Sequence, residues 1–109
     1  MNLSVNSDII RGHIDTIVLN LLKNNDKYGY EILKIISSKT NGEYDLKEAT
    51  LYSSLKRLET EEAVKSYWGD KTQGGRRKYY QITNFGKKML EENKQNWFFT
   101  KKILDLLIF

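Results

Sequence analysis

There is no cysteine, no proline and only one histidine, His13, among the 109 residues of this chain. Without thiols there are no disulfides, and one imidazole is too little for a Cys/His metal cage. Two of the devices that stabilise small domains are thereby removed, which leaves oligomerisation. The lack of cysteine also fits a reducing compartment, and a cytoplasmic location is expected. No stretch approaches the roughly 20 apolar residues of a membrane span. The first ten residues, MNLSVNSDII, carry no basic segment ahead of an apolar core, so a signal peptide is not expected either. Catalytic material is equally scarce. The acids are scattered, Glu59, Glu61 and Glu62 fall at the end of a solvated helix, and His13 is isolated. The sequence predicts neither an enzyme nor a bound metal or cofactor.

Acids are missing from one long stretch. Between Lys71 and Lys88 stand six bases, Lys71, Arg76, Arg77, Lys78, Lys87 and Lys88, without a single Asp or Glu. The formal net charge is +4, so the remainder of the chain sums to −2. All the positive excess therefore lies in this segment, and it points to a polyanionic partner there.

With proline absent, element boundaries must be read from caps and glycines. Ile10, Ile14, Ile17, Val18, Leu21 and Leu22 recur at helical spacing, which predicts a helix over Ser7 to Asn24 with Gly12 in its middle. A second helix is expected from Tyr28 to Thr40, stopped by Asn41-Gly42 in left-handed conformation. Asp45 and Glu48 have the spacing of a capping box, so a third helix is expected from Leu46 to about Glu62. The period then changes. Val64-Lys65-Ser66-Tyr67-Trp68 and Lys78-Tyr79-Tyr80-Gln81-Ile82 read as two strands of a hairpin across a polar, glycine-containing loop. Thr83 or Asn84 can cap a last helix that runs to the terminus. The predicted class is α+β, mostly α.

Three helices followed by a hairpin is the order of a winged helix-turn-helix. At about 100° per residue, Leu51, Tyr52, Leu55 and Leu58 of the third helix face the core. Thr50, Ser53 and Arg57 lie opposite, flanked by Lys47, Ala49, Ser54 and Lys56. Small side chains let a helix approach base edges in a major groove, while Lys and Arg meet phosphate or guanine. The glycines beside Arg76, Arg77 and Lys78 let a wing approach the DNA backbone, where those bases neutralise phosphates. Either feature alone is more often a solvated surface; their adjacency favours DNA.

The runs YGYEI from Tyr28, EATLYSSLKRLE from Glu48, and GGRRKYYQIT from Gly74, followed by Gly86, resemble the PadR family of winged-helix transcriptional regulators. The resemblance implies a winged helix-turn-helix domain over residues 1–83 and a C-terminal dimerisation helix over 84–109, forming one compact unit. It implies a homodimer on a palindromic operator, usually a repressor released by a small molecule. Lys47, Thr50, Tyr52, Ser53, Lys56, Arg57, Arg76, Arg77 and Lys78 match the family's DNA-contacting motifs, Tyr52 as a phosphate contact. Glu61-Glu62-Ala63 departs from the pattern, since family members often have a turn glycine there.

The last helix carries Phe85, Met89, Trp97, Leu104 and Leu107, and six of the seven residues from Ile103 to Phe109 are apolar. A monomer exposing that end would be prone to aggregate, so pairing of this helix is expected. Ile9, Gly12 and Thr16 project together from a second face of the first helix. The likeness extends to a multidrug-binding member of the family. It implies that Trp97 faces its symmetry mate and stacks on planar aromatic, often cationic, small molecules. Ile9, Gly12, Asp15 and Thr16 would then line the slot, Asp15 favouring cations. Two alternatives remain open from the sequence: ordinary packing of Trp97 in a dimer seam, and an architectural or RNA-binding winged helix with no small-molecule response.

Overall fold

The computed structural model describes residues 3–70 and 75–109. The element order is α1 (Ser7–Arg11), α2 (Ile14–Leu22), β1 (Lys27–Tyr28), α3 (Gly29–Lys39), α4 (Glu48–Thr60), β2 (Val64–Trp68), β3 (Lys78–Ile82) and α5 (Asn84–Ile108). The mostly helical winged-helix class is therefore as expected. No helix among the described residues is long and apolar enough to cross a membrane.

The predicted first helix is in fact two. The Asn6 side chain accepts hydrogen bonds from the backbone of Asp8 at 2.9 Å and Ile9 at 3.3 Å, which starts α1. The helix stops after one turn and a half, at Gly12, and α2 restarts behind His13. Gly12 thus sits in a turn rather than mid-helix, and a Cβ built on it would meet no described atom within 4 Å beyond its chain neighbours.

Helix α3 ends as its sequence implies. Asn41 and Gly42 both have positive φ, 52° and 77°. The Gly42 N–H donates to the Ser37 carbonyl at 2.8 Å. The start of α4 differs from expectation: Lys47, not Asp45, is the N-cap, and it makes no side-chain cap bond. Lys47 itself has extended backbone, φ −69° and ψ 140°, and Leu46 before it is buried in the core.

Strand β1 pairs with β3, Lys27 opposite Tyr80 and Tyr28 opposite Tyr79, giving a three-stranded antiparallel sheet in the order β1-β3-β2. The two expected strands of the wing hairpin pair antiparallel, from Val64 opposite Ile82 to Trp68 opposite Lys78. Lys71 and Gly74 of the predicted wing tip lie outside the described residues. The core joins α2 (Val18, Leu19, Leu22), α3 (Ile32, Ile36), α4 (Leu51, Leu55, Leu58), the sheet (Val64, Tyr80, Ile82) and Leu90 of α5. Burial of such side chains contributes about 1.5–3 kcal/mol each.

The junction into α5 is tight. Thr83 accepts the Gly86 N–H at 3.0 Å, while its own hydroxyl donates to the carbonyls of Glu62 at 2.7 Å and Ala63 at 3.0 Å. A Cβ on Gly86 would overlap the Ala63 carbonyl oxygen and meet Ile82 Cγ1 at 2.8 Å. Glu62, in the stretch where the resemblance leads one to expect a turn glycine, takes φ +62°. Gly86→Ala should therefore destabilise the fold by at least the upper end of the roughly 1–3 kcal/mol of an overpacked site. Glu62→Gly should stabilise it by about 0.5–1 kcal/mol, as relief of left-handed strain exceeds the added chain entropy. Denaturant unfolding measures both; a Glu62→Gly protein less stable than the parent would contradict the strain argument.

Candidate nucleic-acid interface

Helix α4 presents two chemically distinct faces. Leu51, Leu55 and Leu58 are buried, while Ala49, Ser53, Lys56 and Arg57 are exposed and Thr50 is half-buried. Lys47 is exposed at the N-terminal end of this face. Two residues depart from the projected positions. Tyr52 is not in the core but 43% exposed. Its ring lies across Gly29, whose Cβ, if present, would be 2.7 Å from Cζ, so glycine at the start of α3 makes the seat for this ring. Ser54, projected beside the outer face, is fully buried, because its hydroxyl donates to Asp15 Oδ1 at 2.6 Å.

Asp15 also receives Arg57, through Nε to Oδ2 at 2.9 Å and Nη2 to Oδ1 at 2.6 Å. This bidentate pair ties α2 to α4 across 42 positions of sequence. Arg57 therefore stands at the flank of the outer face with one side of its guanidinium occupied. Asp15, expected in the ligand slot, instead faces α4.

The wing root continues the basic surface. Arg76 and Arg77 are exposed and Lys78 is half-buried. Arg77 lies 4.8 Å over the Tyr28 ring, and Lys78 Nζ is 5.9 Å from the Tyr80 ring. Tyr28 meets Tyr79 edge-on at 5.5 Å, and Tyr79 stacks on Tyr67 at 5.8 Å. Tyr67 in turn donates to Asp26 at 2.5 Å, a hydrogen bond that raises the phenol above its usual pKa. This tyrosine ladder fixes the base of the wing and orients Arg77, at about 0.5–1 kcal/mol for an exposed cation over a ring. Arg76, Arg77, Lys78, Tyr28, Tyr30, Tyr52, Trp68 and Tyr80 border one groove of about 560 Å³, and no acid is among its described lining residues. Tyr28, Tyr30 and Trp68 are not among the site residues expected from the sequence; aromatic residues beside a basic run were the available signal.

A second site lies at α5. Ile9, Gly12, Thr16 and Trp97 border a cavity of about 370 Å³, together with His13, Asn93, Asn96, Thr100 and Leu104. Trp97 is 41% exposed and meets His13 edge-on, ring centroids 4.6 Å apart at 72°. Asn93 donates to the Thr16 hydroxyl at 3.0 Å and so fastens α5 to α2. On the far side of the His13–Trp97 pair a larger cavity of about 660 Å³ is bordered mainly by apolar residues, among them Val5, Ile10, Ile17, Leu21, Ile36 and Tyr44. Asp15 borders neither cavity. Among the described residues no group of three His, Cys, Asp or Glu could hold a metal.

The model of the transcriptional regulator PadR-like family matches residues 18–92. An uncharacterized protein of Lysinibacillus sphaericus is 50% identical over 104 residues, covering 95% of each chain. The transcriptional regulator YqjI of Escherichia coli is 27% identical over 77% of this chain but only 39% of its own length. Among solved structures, a transcriptional regulator from Clostridium thermocellum has 48% identity and a TM-score of 0.86 over 93% of this chain and 95% of its own. A PadR family transcription regulator from Clostridium difficile has 43% identity and a TM-score of 0.77 over 90% and 100%.

The Asp15 tether makes a pH-dependent contribution. Burial alone raises its carboxyl pKa, but the hydrogen bonds from Arg57 and Ser54 and the guanidinium charge outweigh burial and lower it. A carboxyl depressed in the fold stabilises above its unfolded pKa, about 3.9, and the contribution is lost as pH falls through the folded value. Asp15→Asn should cost about 1–3 kcal/mol at pH 7, toward the lower end because Arg57 is half-exposed. The gap between parent and variant should narrow below about pH 4. Urea unfolding at pH 7 and pH 3 measures it; an equal gap at both would contradict the ionic tether.

Proposed function

We propose, since this chain belongs to the PadR-like family of transcriptional regulators, that it binds a palindromic operator as a homodimer, represses, and is released by a planar aromatic small molecule. The observation that carries the DNA reading is a shared groove. Tyr52 of α4, the helix that carries the small hydroxylated side chains of Thr50 and Ser53, borders it together with Arg76, Arg77 and Lys78, and no acid is among its described lining residues. A helix bearing small polar side chains can enter a major groove and read base edges. The bases at the wing root then sit where the backbone beside that groove would run, and add affinity without sequence information. Tyr52, which borders the groove, and the exposed Lys47, Lys56 and Arg57 of α4 serve as phosphate contacts in this reading.

Dimerisation is supported by α5. Only Gly86 and Leu90 of its 25 residues are buried. Phe98, Phe99, Leu106, Leu107, Ile108 and Phe109 are all exposed, Phe109 almost completely at 99%. An apolar end of this size and the apolar cavity beside Trp97 are surfaces that a two-fold pair can bury together. In this arrangement residues 1–83 read DNA and residues 84–109 set the distance between two reading heads. The slot reading rests on Trp97, Ile9, Gly12 and Thr16, which share a cavity. Asp15 contributes no free charge to it, so a cationic ligand would be held by the indole face, about 0.5–2 kcal/mol depending on desolvation.

The two DNA elements are separable by experiment. Arg76→Ala combined with Arg77→Ala should weaken binding to every duplex alike and lower the slope of log K against log salt by about one per lost phosphate contact. Replacing Thr50 or Ser53 should instead alter base preference, by about 1–3 kcal/mol per changed base contact. Titrations of operator variants at several salt concentrations measure both. An unchanged slope in the double arginine variant would place those side chains off the DNA, and a uniform loss in the α4 variants would make that face a backbone contact.

A further inference from the structure

The groove at the wing root contains a residue that charge does not explain. Trp68 is 58% exposed at the end of β2, an edge strand of the sheet. Among the described residues no ring contact and no hydrogen bond engages its side chain. A large apolar side chain with this much surface in water offers area whose burial by a partner would be favourable.

Its placement points to the kind of partner. Side chains alternate along a strand, so Val64, Ser66 and Trp68 share one face. Val64 is buried in the core and the Ser66 hydroxyl donates to Glu59 of α4 at 2.5 Å, so this is the face that looks onto α4. Trp68 and Tyr52 of α4 both border the groove, together with Arg76, Arg77 and Lys78. The indole is therefore an apolar surface framed by cations, with an N–H donor at its edge.

We infer that Trp68 is a DNA-contacting residue of the wing, whose ring packs against the deoxyribose of the backbone flanking the groove that α4 enters and whose indole N–H donates to a phosphate. The inference rests on the DNA reading above and deepens it. The basic frame selects a polyanion, and deoxyribose is the apolar part of the duplex backbone that lies between its phosphates. Trp68 supplies the uncharged share of the wing's grip: it excludes water around the arginines and holds the wing in register with α4, releasing no counterion as it does so.

That last property separates Trp68 from the arginines. Duplex of the promoter DNA upstream of the gene is titrated, at several salt concentrations, into the parent protein, Trp68→Phe and Trp68→Ala. The parent's tryptophan emission should change on saturation, and Trp68→Phe should lose most of that change and bind more weakly than the parent, because the indole N–H is gone, but no more weakly than Trp68→Ala. Trp68→Ala should bind about tenfold more weakly, with the salt slope unchanged. Three results overturn the inference: equal emission changes in parent and Trp68→Phe, parental affinity in Trp68→Ala, or a lowered slope in Trp68→Ala, which would mean that the indole only props the arginines. A parent that binds no duplex at any salt overturns the DNA reading and this inference together.

Discussion

A helix of thirteen residues in a small protein has two long faces to assign, and in α4 the assignment governs the rest of the molecule. Leu51, Leu55 and Leu58 give it an apolar stripe that must be buried, and the core of α2, α3 and the sheet forms around that stripe. Leucines alone would leave the helix free to rotate somewhat about its axis, since apolar contact is not directional. The Asp15 carboxylate removes that freedom. It takes the buried Ser54 hydroxyl and two guanidinium nitrogens of Arg57 at once, and hydrogen bonds have preferred angles. Thr50 and Ser53 are then held outward as a consequence of what lies behind them.

The helix that provides this tether faces two ways. Asp15 binds α4, while the next residue, Thr16, accepts a hydrogen bond from Asn93 of α5, and His13, just before α2, lies against Trp97. The reading helix and the C-terminal helix are thus both seated on the start of α2. The wing has its own anchor in the Tyr67, Tyr79 and Tyr28 rings, which join β1 to the hairpin and leave Arg77 at the outer end of the ladder. Polar and aromatic contacts outside the main core therefore set the relative positions of the proposed DNA-facing parts.

Much of this architecture is legible in the sequence. The change from helical to alternating pattern after Ala63, the positive-φ stop at Asn41-Gly42 and the acid-free basic run each have a local physical cause, and local causes can be read locally. The parts that are not legible depend on partners far along the chain. The apolar period continues from Ile10 to Ile14 across Gly12 and His13, so the break between α1 and α2 leaves no trace in it. Strand β1 has two residues, too few for a period, and exists because β3 offers Tyr79 and Tyr80 to pair with. A helical projection puts Ser54 at an angle near the outer face; that a carboxylate 39 positions away would bury it is a tertiary fact. The same projection turns Tyr52 toward the core, whereas the absent Cβ of Gly29 gives its ring a seat at the surface.

If the proposed function is right, paired copies of α4 read DNA on one side of a two-fold dimer. Hydroxyl-radical footprinting on the promoter DNA upstream of the gene is the decisive measurement. Two symmetry-related reading heads should protect two equivalent patches whose centres lie one helical turn apart, about 10–10.5 base pairs, or a whole multiple of it. A single protected patch, or uniform protection that spreads with protein concentration, would contradict that arrangement.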